Sequence, residues 1–303
     1  MNEILRVKNL QVPNKKIDVV LDTDTFNEID DQYAIAYLLK SKEKLCTKAI
    51  YAAPFSRTGS GTPEEGMQKS YDEILKLLSL LNEEVPVFKG AKEYMKDEKT
   101  PSLSHVAYDL AERVNYYSPE NPLYVVAIGA ITNVASAILL NPKVVENTVV
   151  VWLGGHALHY TDSVEFNLKQ DIAAARVVFS SGVPLIQLPC CGVVSEFTLS
   201  KADLKEWLIG KNQLCDYLAK ITIEHVESYE NNPYWAKVIW DVTAIAWLLN
   251  DNDSFMKSRL ITAPNPSYDG YYTEIPDNHL MRYVYHIKRS KLMADLIEKL
   301  IRN

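Results

Sequence analysis

Residues 18–39, DVVLDTDTFNEIDDQYAIAYLL, join a buried strand to a helix through an acidic turn. The run 17–21, apolar except for one Asp, is typical of a buried strand, and this strand stops at Asp22. Apolar residues then recur at helical spacing between 34 and 39, behind an acidic first turn. A helix is therefore predicted to begin near Asp30.

The acidic turn contains no Lys or Arg and carries five carboxylates within ten residues: Asp22, Asp24, Glu28, Asp30 and Asp31. Like charges at this spacing repel, and burying them costs several kcal/mol each unless a positive charge compensates. A hard cation with oxygen ligands would supply that charge. The simpler alternative is that Asp30 or Asp31 caps the helix and that the turn is solvated. Acidic pairs on both sides of a strand-to-helix turn, where α/β sheets bind ligands, favour the cation site.

Composition and charge restrict the class of protein. A chain of 303 residues, 47% hydrophobic and 23% charged, is typical of a globular protein with one large α/β domain or two small ones. The net charge of −7 argues against nucleic acid or an anionic membrane as the main partner. No apolar run approaches the ~20 residues of a membrane-spanning helix, so no span is expected.

The N-terminus and the cysteines indicate a cytoplasmic protein. Residues 1–16 lack the apolar core of a signal peptide. The four cysteines, Cys46, Cys190, Cys191 and Cys215, have neither metal-site nor disulfide-framework spacing and are expected to be reduced. The adjacent Cys190 and Cys191 are interpreted as buried small residues at a strand end.

Beyond the first helix, apolar strands alternate with helices as far as residue 188. The predicted strands are 47–53, 85–88, 123–128, 148–153 and 184–188, and the predicted helices include 63–81, 103–117 and 171–180. A loop rich in turn-forming residues is predicted at 55–63. The alternation predicts parallel strands joined by right-handed crossovers.

The pattern becomes mostly helical after residue 201. Helices are predicted at 201–208, 213–229, 239–249 and 290–302, and short strands at 259–262, 271–275 and 282–287. No internal repeat or obvious linker interrupts the chain. We therefore predict a single domain, residues 1–303, with a helical insertion near the C-terminus.

Three later places carry polar residues at points where ligands could bind. Thr132 follows a strand, Glu165 and Asn167 lie in a polar loop, and Trp240-Asp241 opens an apolar helix. Each has a simpler explanation when taken alone. Thr132 and Asp241 could be helix caps, Trp240 a core residue, and the loop pair ordinary surface residues.

Taken in order, these motifs resemble the inosine–uridine nucleoside hydrolases. The set comprises Asp-x-Asp…Asp-Asp after the first strand, Gly-x-x-Thr-Asn, Gly-Gly followed by Glu-Phe-Asn, and a late Asp before an apolar helix. The resemblance runs from about residue 16 to the last helix. It implies an open, mostly parallel α/β sheet with helices on both faces and a site at the strand carboxyl ends. It also implies hydrolysis of the N-glycosidic bond of ribonucleosides, which releases ribose and the free base.

The resemblance further implies a calcium ion that holds the ribose hydroxyls and the attacking water. Its ligands would be the carboxylates of Asp24, Asp31 and Asp241 and the main-chain oxygen of Thr132, with Asp24 also the general base. Asp30, Glu165 and Asn167 would bind ribose hydroxyls. This agrees with the residue chemistry, because carboxylates stabilise an oxocarbenium-like sugar cation and oxygen ligands suit calcium better than zinc. The family also implies a homo-oligomer, a dimer or a tetramer.

The chain departs from the family pattern in the turn after the first strand and at two ribose-binding positions. Five residues, 25–29, separate Asp24 from the Asp pair, where the family has three. The extra length is expected to bring Asn27 and Glu28 next to the site. Residues 52–55, Ala-Ala-Pro-Phe, replace a ribose-binding Asn, and Asn27 is predicted to take over its contact. His159 or a neighbour stands in place of a second such Asn.

The last departure concerns the leaving base. Many members have His-Asp, with the His proposed to protonate the base, where this chain has Trp240-Asp241. Trp-Asp resembles the purine-preferring branch, in which an indole stacks on an N7-protonated purine, a cation–π effect of about 1–2 kcal/mol when desolvated. Trp235 or Tyr234 could provide a second stacking face, although an aromatic residue at a helix start is the simpler interpretation of Trp235.

The sequence therefore predicts a calcium-dependent ribonucleoside hydrolase that prefers purine nucleosides. Two alternatives remain open at this point. One is a hydrolase of another N-ribosyl compound, selected by the altered first turn. The other is a non-catalytic, metal-dependent ribose-binding protein, against which the retained Asp24 argues because a binder needs no general base.

Overall fold

The computed structural model describes residues 2–57 and 61–302, so residues 58–60 of the predicted loop 55–63 lie outside the described residues. The strands are β1 (Ile17–Thr23), β2 (Leu45–Ala52), β3 (Val87–Lys89), β4 (Leu123–Ala127), β5 (Thr148–Leu153), β6 (Leu185–Leu188), β7 (Thr198–Ser200), β8 (Ala236–Val238), β9 (Met256–Thr262), β10 (Asn265–Pro266), β11 (Tyr272–Thr273) and β12 (Leu280–Ile287).

The helices are α1 (Glu3–Asn9), α2 (Asp30–Leu39), α3 (Pro63–Leu81), α4 (His105–Arg113), α5 (Thr132–Leu140), α6 (Lys143–Asn147), α7 (Phe166–Gln170), α8 (Ile172–Ser181), α9 (Lys201–Trp207), α10 (Gln213–Glu227), α11 (Val242–Leu248) and α12 (Arg289–Ile301).

Eight strands form one sheet in the spatial order β3-β2-β1-β4-β5-β6-β12-β9. All neighbouring pairs are parallel except β12–β9, which is antiparallel at one edge. The predicted mostly parallel sheet is therefore confirmed. The strand order reverses direction between β1 and β4, and in open α/β sheets the crevice at such a switch point is the usual ligand site.

Both faces of the sheet are covered by helices, as predicted. β4 and β5 are buried along their whole length, and their sequences LYVVA and TVVVWL are almost continuously apolar. Parallel strands covered on both faces require such sequences. Side chains alternate across β1: Val19 and Leu21 belong to the core cluster shared with α2, α3 and α12, and Val20 to the cluster shared with α4, α5 and α8.

The predicted helical insertion lies between β6 and β12 and contains α9, α10 and α11. It also contains an antiparallel ribbon of β7 and β8, which the sequence did not predict because three-residue strands are too short to show an alternating pattern. α11 is buried along its whole length and contacts α2, so the insertion returns to the crevice beside β1.

Element boundaries differ from the predicted ones mainly near caps. The helix predicted at 103–117 begins at His105 because the Ser104 hydroxyl accepts a hydrogen bond from the Ala107 N–H, and its last turn is a 3₁₀ helix, Val114–Tyr116. α1, α6 and α7 were not predicted, and the last two are only five residues long. Within residues 2–57 and 61–302, no helix has the length and apolar character required to cross a bilayer. The single-domain assignment stays a prediction.

Candidate active site

A cavity opens at the carboxyl ends of β1, β4, β5 and β6, over the switch point of the sheet. α2, α7 and α11 begin at its walls. It is lined by Asp24, Asn27, Glu28, Asp30, Asp31, Ile128, Leu153, His156, Glu165, Phe166, Asn167, Cys190, Cys191, Trp240 and Asp241. The structure therefore brings together all the predicted site residues except Thr132 and His159.

Three carboxylates converge at this cavity. One oxygen from each of Asp30, Asp31 and Asp241 lies within 4.8 Å of the other two, and all three residues are buried. The helix-cap alternative is wrong for this cluster. Ile29, not an aspartate, precedes the first turn of α2, and Asp241 makes no capping hydrogen bond although it precedes α11. The side chains instead point toward one another, against their mutual repulsion.

Asp24 is buried beside this cluster. Its Oδ2 has no hydrogen-bond partner among the residues that the structure describes. Burial raises the pKa of Asp24 well above its usual range, and the charges of Asp31 and Asp30 raise it further. An unpartnered buried carboxylate oxygen costs free energy of folding, and a ligand bound to this atom would reduce that cost.

The pKa values of the three clustered aspartates are also raised. Burial raises the pKa of Asp31 to about 8, with a further contribution from Asp30. Burial also raises the pKa of Asp30 to about 6, although Lys237 opposes this shift. The pKa of Asp241 is raised well above its usual range by burial and by the neighbouring aspartates. A bound cation would oppose these shifts, because it favours the ionised form of each carboxylate.

The donor set fits a hard divalent cation. Every candidate ligand is an oxygen, and such ions take six to eight oxygen ligands from carboxylates, carbonyls and water. The charge of Lys237 lowers the pKa of Asp30. Lys237 is also paired with Glu28, so it does not neutralise the whole cluster. The Asp24 Oδ2 atom is the observation that favours an ion over a solvated acidic turn.

Glu165 and Asn167 form a second wall through hydrogen bonds to the backbone. The carboxylate of Glu165 accepts from the N–H groups of Gly155 and Asn167, both at 2.9 Å. The amide of Asn167 donates to the carbonyl oxygens of Ile128 and Leu153, both at 3.0 Å. These bonds tie the ends of β4 and β5 to the start of α7, which fixes the shape of the cavity.

Trp240 also lines the cavity, and its backbone N–H donates to Asp30 Oδ2 at 2.9 Å. The two candidates for a second stacking face do not line the cavity. Tyr234 is 90% exposed, and Trp235 is buried among core residues. Phe166 is the other aromatic ring on the cavity wall in the described part of the chain.

Thr132 does not line the cavity, although it was predicted to supply a main-chain ligand. It is the first residue of α5, and its hydroxyl donates to Asp171 Oδ2 at 2.7 Å on the far side of the β4–α5 turn. Ile128, at the end of β4, lines the cavity instead. Four residues, 128–131, separate β4 from Thr132, and the first of them lies on the cavity wall.

His159 itself also lies outside the cavity, where the prediction names His159 or a neighbour. It lines a separate surface groove with Leu158, Val193 and Arg259. His156, three residues earlier, occupies the cavity wall. The chain turns after Ala157, whose N–H donates to the Cys191 carbonyl, and this bond carries the following residues away from the crevice.

The longer turn after β1 places Asn27 and Glu28 on the cavity wall. The Asn27 N–H donates to the Asp24 carbonyl at 2.9 Å, and the turn places Phe26 at a φ of 107°, a strained value for a bulky residue. Arg57 donates to the Asn27 side chain at 2.9 Å. Glu28 is bound by Lys237. Asn27 and Glu28 therefore line the cavity, and each is held by a basic side chain.

Sequence reasoning missed several residues of the cavity wall: Ile128, Leu153, His156, Phe166, Cys190 and Cys191. Most of them lie at the end of β4, β5 or β6 or within three residues of it, so their position at strand carboxyl ends was the available sign. Cys190 is buried, as predicted, and Cys191 is half-buried. Apolar and thiol side chains carried no chemical signature that separated them from ordinary core residues.

Comparison with known proteins identifies the class of protein that this fold and site define. Residues 19–282 match the family described as inosine-uridine preferring nucleoside hydrolase. The match covers most of the chain, so the protein belongs to this family and is an N-ribosyl hydrolase. The resemblance drawn from the motifs is thereby confirmed.

Particular relatives differ in the base that their names specify. The pyrimidine-specific ribonucleoside hydrolase RihA of Escherichia coli O7:K1 is 28% identical over 260 residues, 77% of this chain and 79% of that protein. A plant nucleoside hydrolase structure has a TM-score of 0.75 and 21% identity, covering 96% of this chain and 100% of that one. A purine-preferring ribonucleoside hydrolase from Gardnerella vaginalis has a TM-score of 0.75 and 19% identity, covering 94% and 98%. At this identity the two structures support the fold alone.

Gly129 sets the position of Asp24, and this predicts a mutant phenotype. A Cβ atom at Gly129 would lie 3.0 Å from Asp24 Oδ1, so Gly129→Ala must displace that carboxylate. We expect kcat/KM for nucleoside hydrolysis to fall about 10- to 100-fold, because small displacements of reacting groups have effects of this size. The melting temperature should change little, since the cavity can accept the shifted side chain. Unchanged kcat/KM with an unchanged melting curve would contradict the role of this contact.

Proposed function

We propose that this family member hydrolyses ribonucleosides with the help of a calcium ion and prefers purine nucleosides. The observation that carries the proposal is the unpartnered Oδ2 of Asp24 beside the cluster of Asp30, Asp31 and Asp241. A nucleoside hydrolase needs a base for the attacking water and negative charge beside the developing sugar cation. These four carboxylates offer both functions within one cavity.

The proposed calcium ligands are the carboxylates of Asp24, Asp31 and Asp241 and one main-chain oxygen. The family resemblance assigns this ligand to the main-chain oxygen of Thr132, at the start of α5, and Ile128 of the same turn lies on the cavity wall. A bound calcium ion would lower the pKa of the attacking water and hold the ribose hydroxyls. Calcium is favoured over zinc because the available ligands are oxygens.

The residues of the chain perform the remaining steps. Asp24 accepts a proton from the attacking water as the water approaches the anomeric carbon. Asp30, Asn27, Glu165 and Asn167 hold ribose hydroxyls, so the sugar is fixed with its anomeric carbon toward Asp24. As the bond to the base lengthens, the surrounding carboxylates stabilise the positive charge on the ribosyl ring.

Trp240 supports the purine preference. By the family resemblance, Trp240 stands where other members carry the protonating His, and it lines the cavity with its backbone N–H bonded to Asp30. A purine can leave protonated at N7, with its charge stabilised by the indole face. Pyrimidines lack this site. The relative from E. coli is named for pyrimidine specificity and that from G. vaginalis for purine preference, so the names alone do not assign the base.

A hydrolase of another N-ribosyl compound is the second candidate. It is favoured by Asn27 and Glu28, because the longer turn adds two polar side chains to the cavity. A small-molecule ribosyl substrate is common to both candidates.

We also propose that residues 1–303 form one domain and that the protein is a cytoplasmic homo-oligomer, a dimer or a tetramer. The family resemblance supports the oligomer, and the unpaired cysteines agree with a reducing compartment.

Calcium binding should stabilise the protein. After treatment with a chelator, adding calcium should raise the melting temperature in a concentration-dependent way, equivalent to about 2.7 kcal/mol at 100 times Kd. Asp241→Asn should weaken this shift, whereas Asp72→Asn, an exposed substitution on α3, should not. The measurement is differential scanning fluorimetry over a calcium titration. A shift of equal size in the wild type and in Asp241→Asn would exclude Asp241 as a ligand.

Asp24→Asn should lower kcat at least ~100-fold, because loss of a general base has effects of this order. The variant should still fold, since removing one charge reduces repulsion among buried aspartates. Steady-state kinetics on inosine and a melting curve test both statements. Turnover close to that of the wild type would remove Asp24 from the base role.

Trp240→Ala should lower kcat/KM for inosine about tenfold or more, which corresponds to a lost stacking interaction of ~1.4 kcal/mol. A nitrophenyl riboside needs no protonation of its leaving group and should be affected much less. Kinetics on inosine, uridine and the nitrophenyl riboside provide the comparison. Equal losses on all three would assign Trp240 a structural role. A wild-type enzyme faster on uridine than on inosine would overturn the purine preference.

A further inference from the structure

The cavity is built along a seam between two distant segments of the chain, residues 28–31 and residues 237–241. The first segment runs from the turn after β1 into α2, and the second leads from β8 to α11 in the insertion. Each segment contributes at least one carboxylate to the aspartate cluster, so the cluster is complete only when the two segments lie side by side. The site therefore depends on whatever holds this seam closed.

Like charges face one another across the seam. Asp30 and Asp31 come from one side and Asp241 from the other, and one oxygen of each lies within 4.8 Å of the other two. The backbone N–H of Trp240 donates to Asp30 Oδ2 at 2.9 Å, which is an attractive contact across the seam. Repulsion among the buried carboxylates acts against this hydrogen bond and tends to separate the two segments.

The ion pair between Lys237 and Glu28 opposes this repulsion. It joins opposite charges across the seam, and its partners are 209 residues apart in sequence. The Lys237 side chain is only 10% exposed, so solvent screens this pair less than it screens a surface ion pair. Arg57 Nη2 lies 3.8 Å from Glu28 Oε1 and adds a second, more exposed cation. The proposed reaction assigns Glu28 and Lys237 no task.

We propose that Glu28 and Lys237 are positioning residues, whose ion pair holds the segment before α11 against the first turn of α2 and so assembles the aspartate cluster before a ligand binds. Neither residue needs to touch the substrate. The role concerns the calcium-free protein, and only its consequence for calcium affinity rests on the proposed function. A site that is assembled in advance binds more tightly, because less ordering accompanies binding.

The backbone N–H of Trp240 reports directly on the seam, because its hydrogen-bond partner lies on the other side. In the calcium-free protein, Lys237→Met and Glu28→Gln should each raise the hydrogen-exchange rate of this amide about tenfold, since opening of the seam exposes it. The measurement is amide hydrogen exchange followed by NMR spectroscopy after treatment with a chelator. Unchanged exchange at Trp240 in both variants would overturn the inference.

The amides of β4 distinguish positioning from general support of the fold. This strand is buried along its whole length, so its amides exchange through global unfolding. They should accelerate much less than the Trp240 amide in both variants. Equal acceleration at the two places would mean that the ion pair stabilises the whole fold and does not act on the seam.

Two further variants serve as matched controls. Lys237→Arg keeps the charge and should leave the Trp240 amide protected. Lys201→Met removes an ion pair with Glu227 that lies within the insertion and does not cross the seam, so it should not change Trp240 exchange. If Lys237→Met fails to fold, Glu28→Gln decides the result, because the Glu28 side chain is 35% exposed and tolerates replacement more easily.

Calcium affinity separates positioning from simple electrostatics. Lys237→Met removes a positive charge near the aspartate cluster, and by charge alone it should tighten calcium binding. If the ion pair assembles the site, this variant should instead bind calcium about tenfold more weakly in isothermal titration calorimetry. Unchanged or tighter binding would overturn the inference. A wild type that binds no calcium would overturn the proposed calcium dependence, and Trp240 exchange would still decide the role of the pair.

Discussion

The burial of like charges beside β1 is the constraint on which the rest of the structure depends. Asp24, Asp30, Asp31 and Asp241 are each buried, and burial together with their neighbours' charges raises the pKa of each. Such an arrangement is destabilising without a cation. It persists because β1, α2 and α11 are anchored in an extensive apolar core, and because Lys237 compensates part of the charge on Asp30. The free energy gained by burying this apolar core thus offsets the repulsion among the aspartates.

The wall formed by Glu165 and Asn167 is organised by hydrogen bonds to the backbone. The Asn167 amide donates to the carbonyl oxygens of Ile128 and Leu153. The Glu165 carboxylate accepts from the N–H groups of Gly155 and Asn167. These contacts are satisfied before any substrate arrives, so little reorganisation is needed on binding. The buried aspartates repel one another, whereas the backbone hydrogen bonds of Glu165 and Asn167 are already formed and determine the shape of the cavity.

The cavity combines residues from two parts of the chain. Asp24, Asp30 and Asp31 lie just after β1 and in the first turn of α2, whereas Trp240 and Asp241 come from the insertion between β6 and β12. Loops and insertions change more readily than the strands that they join. Lys237 connects the two parts, because it belongs to the insertion and binds Glu28 of the turn.

The sequence by itself determined the parallel sheet, its helical layers and the acidic strand end, because apolar periodicity and clustered charge are local properties of the chain. It also placed Asp24, Asp30, Asp31 and Asp241 in one site through the order of the motifs. Only the tertiary structure decided which residue of each turn reaches the crevice. Spacing could not distinguish Ile128 from Thr132, or His156 from His159, because that choice depends on where the chain bends after each strand. Those bends are set by long-range hydrogen bonds, such as that between Ala157 and Cys191, which connect segments far apart in sequence.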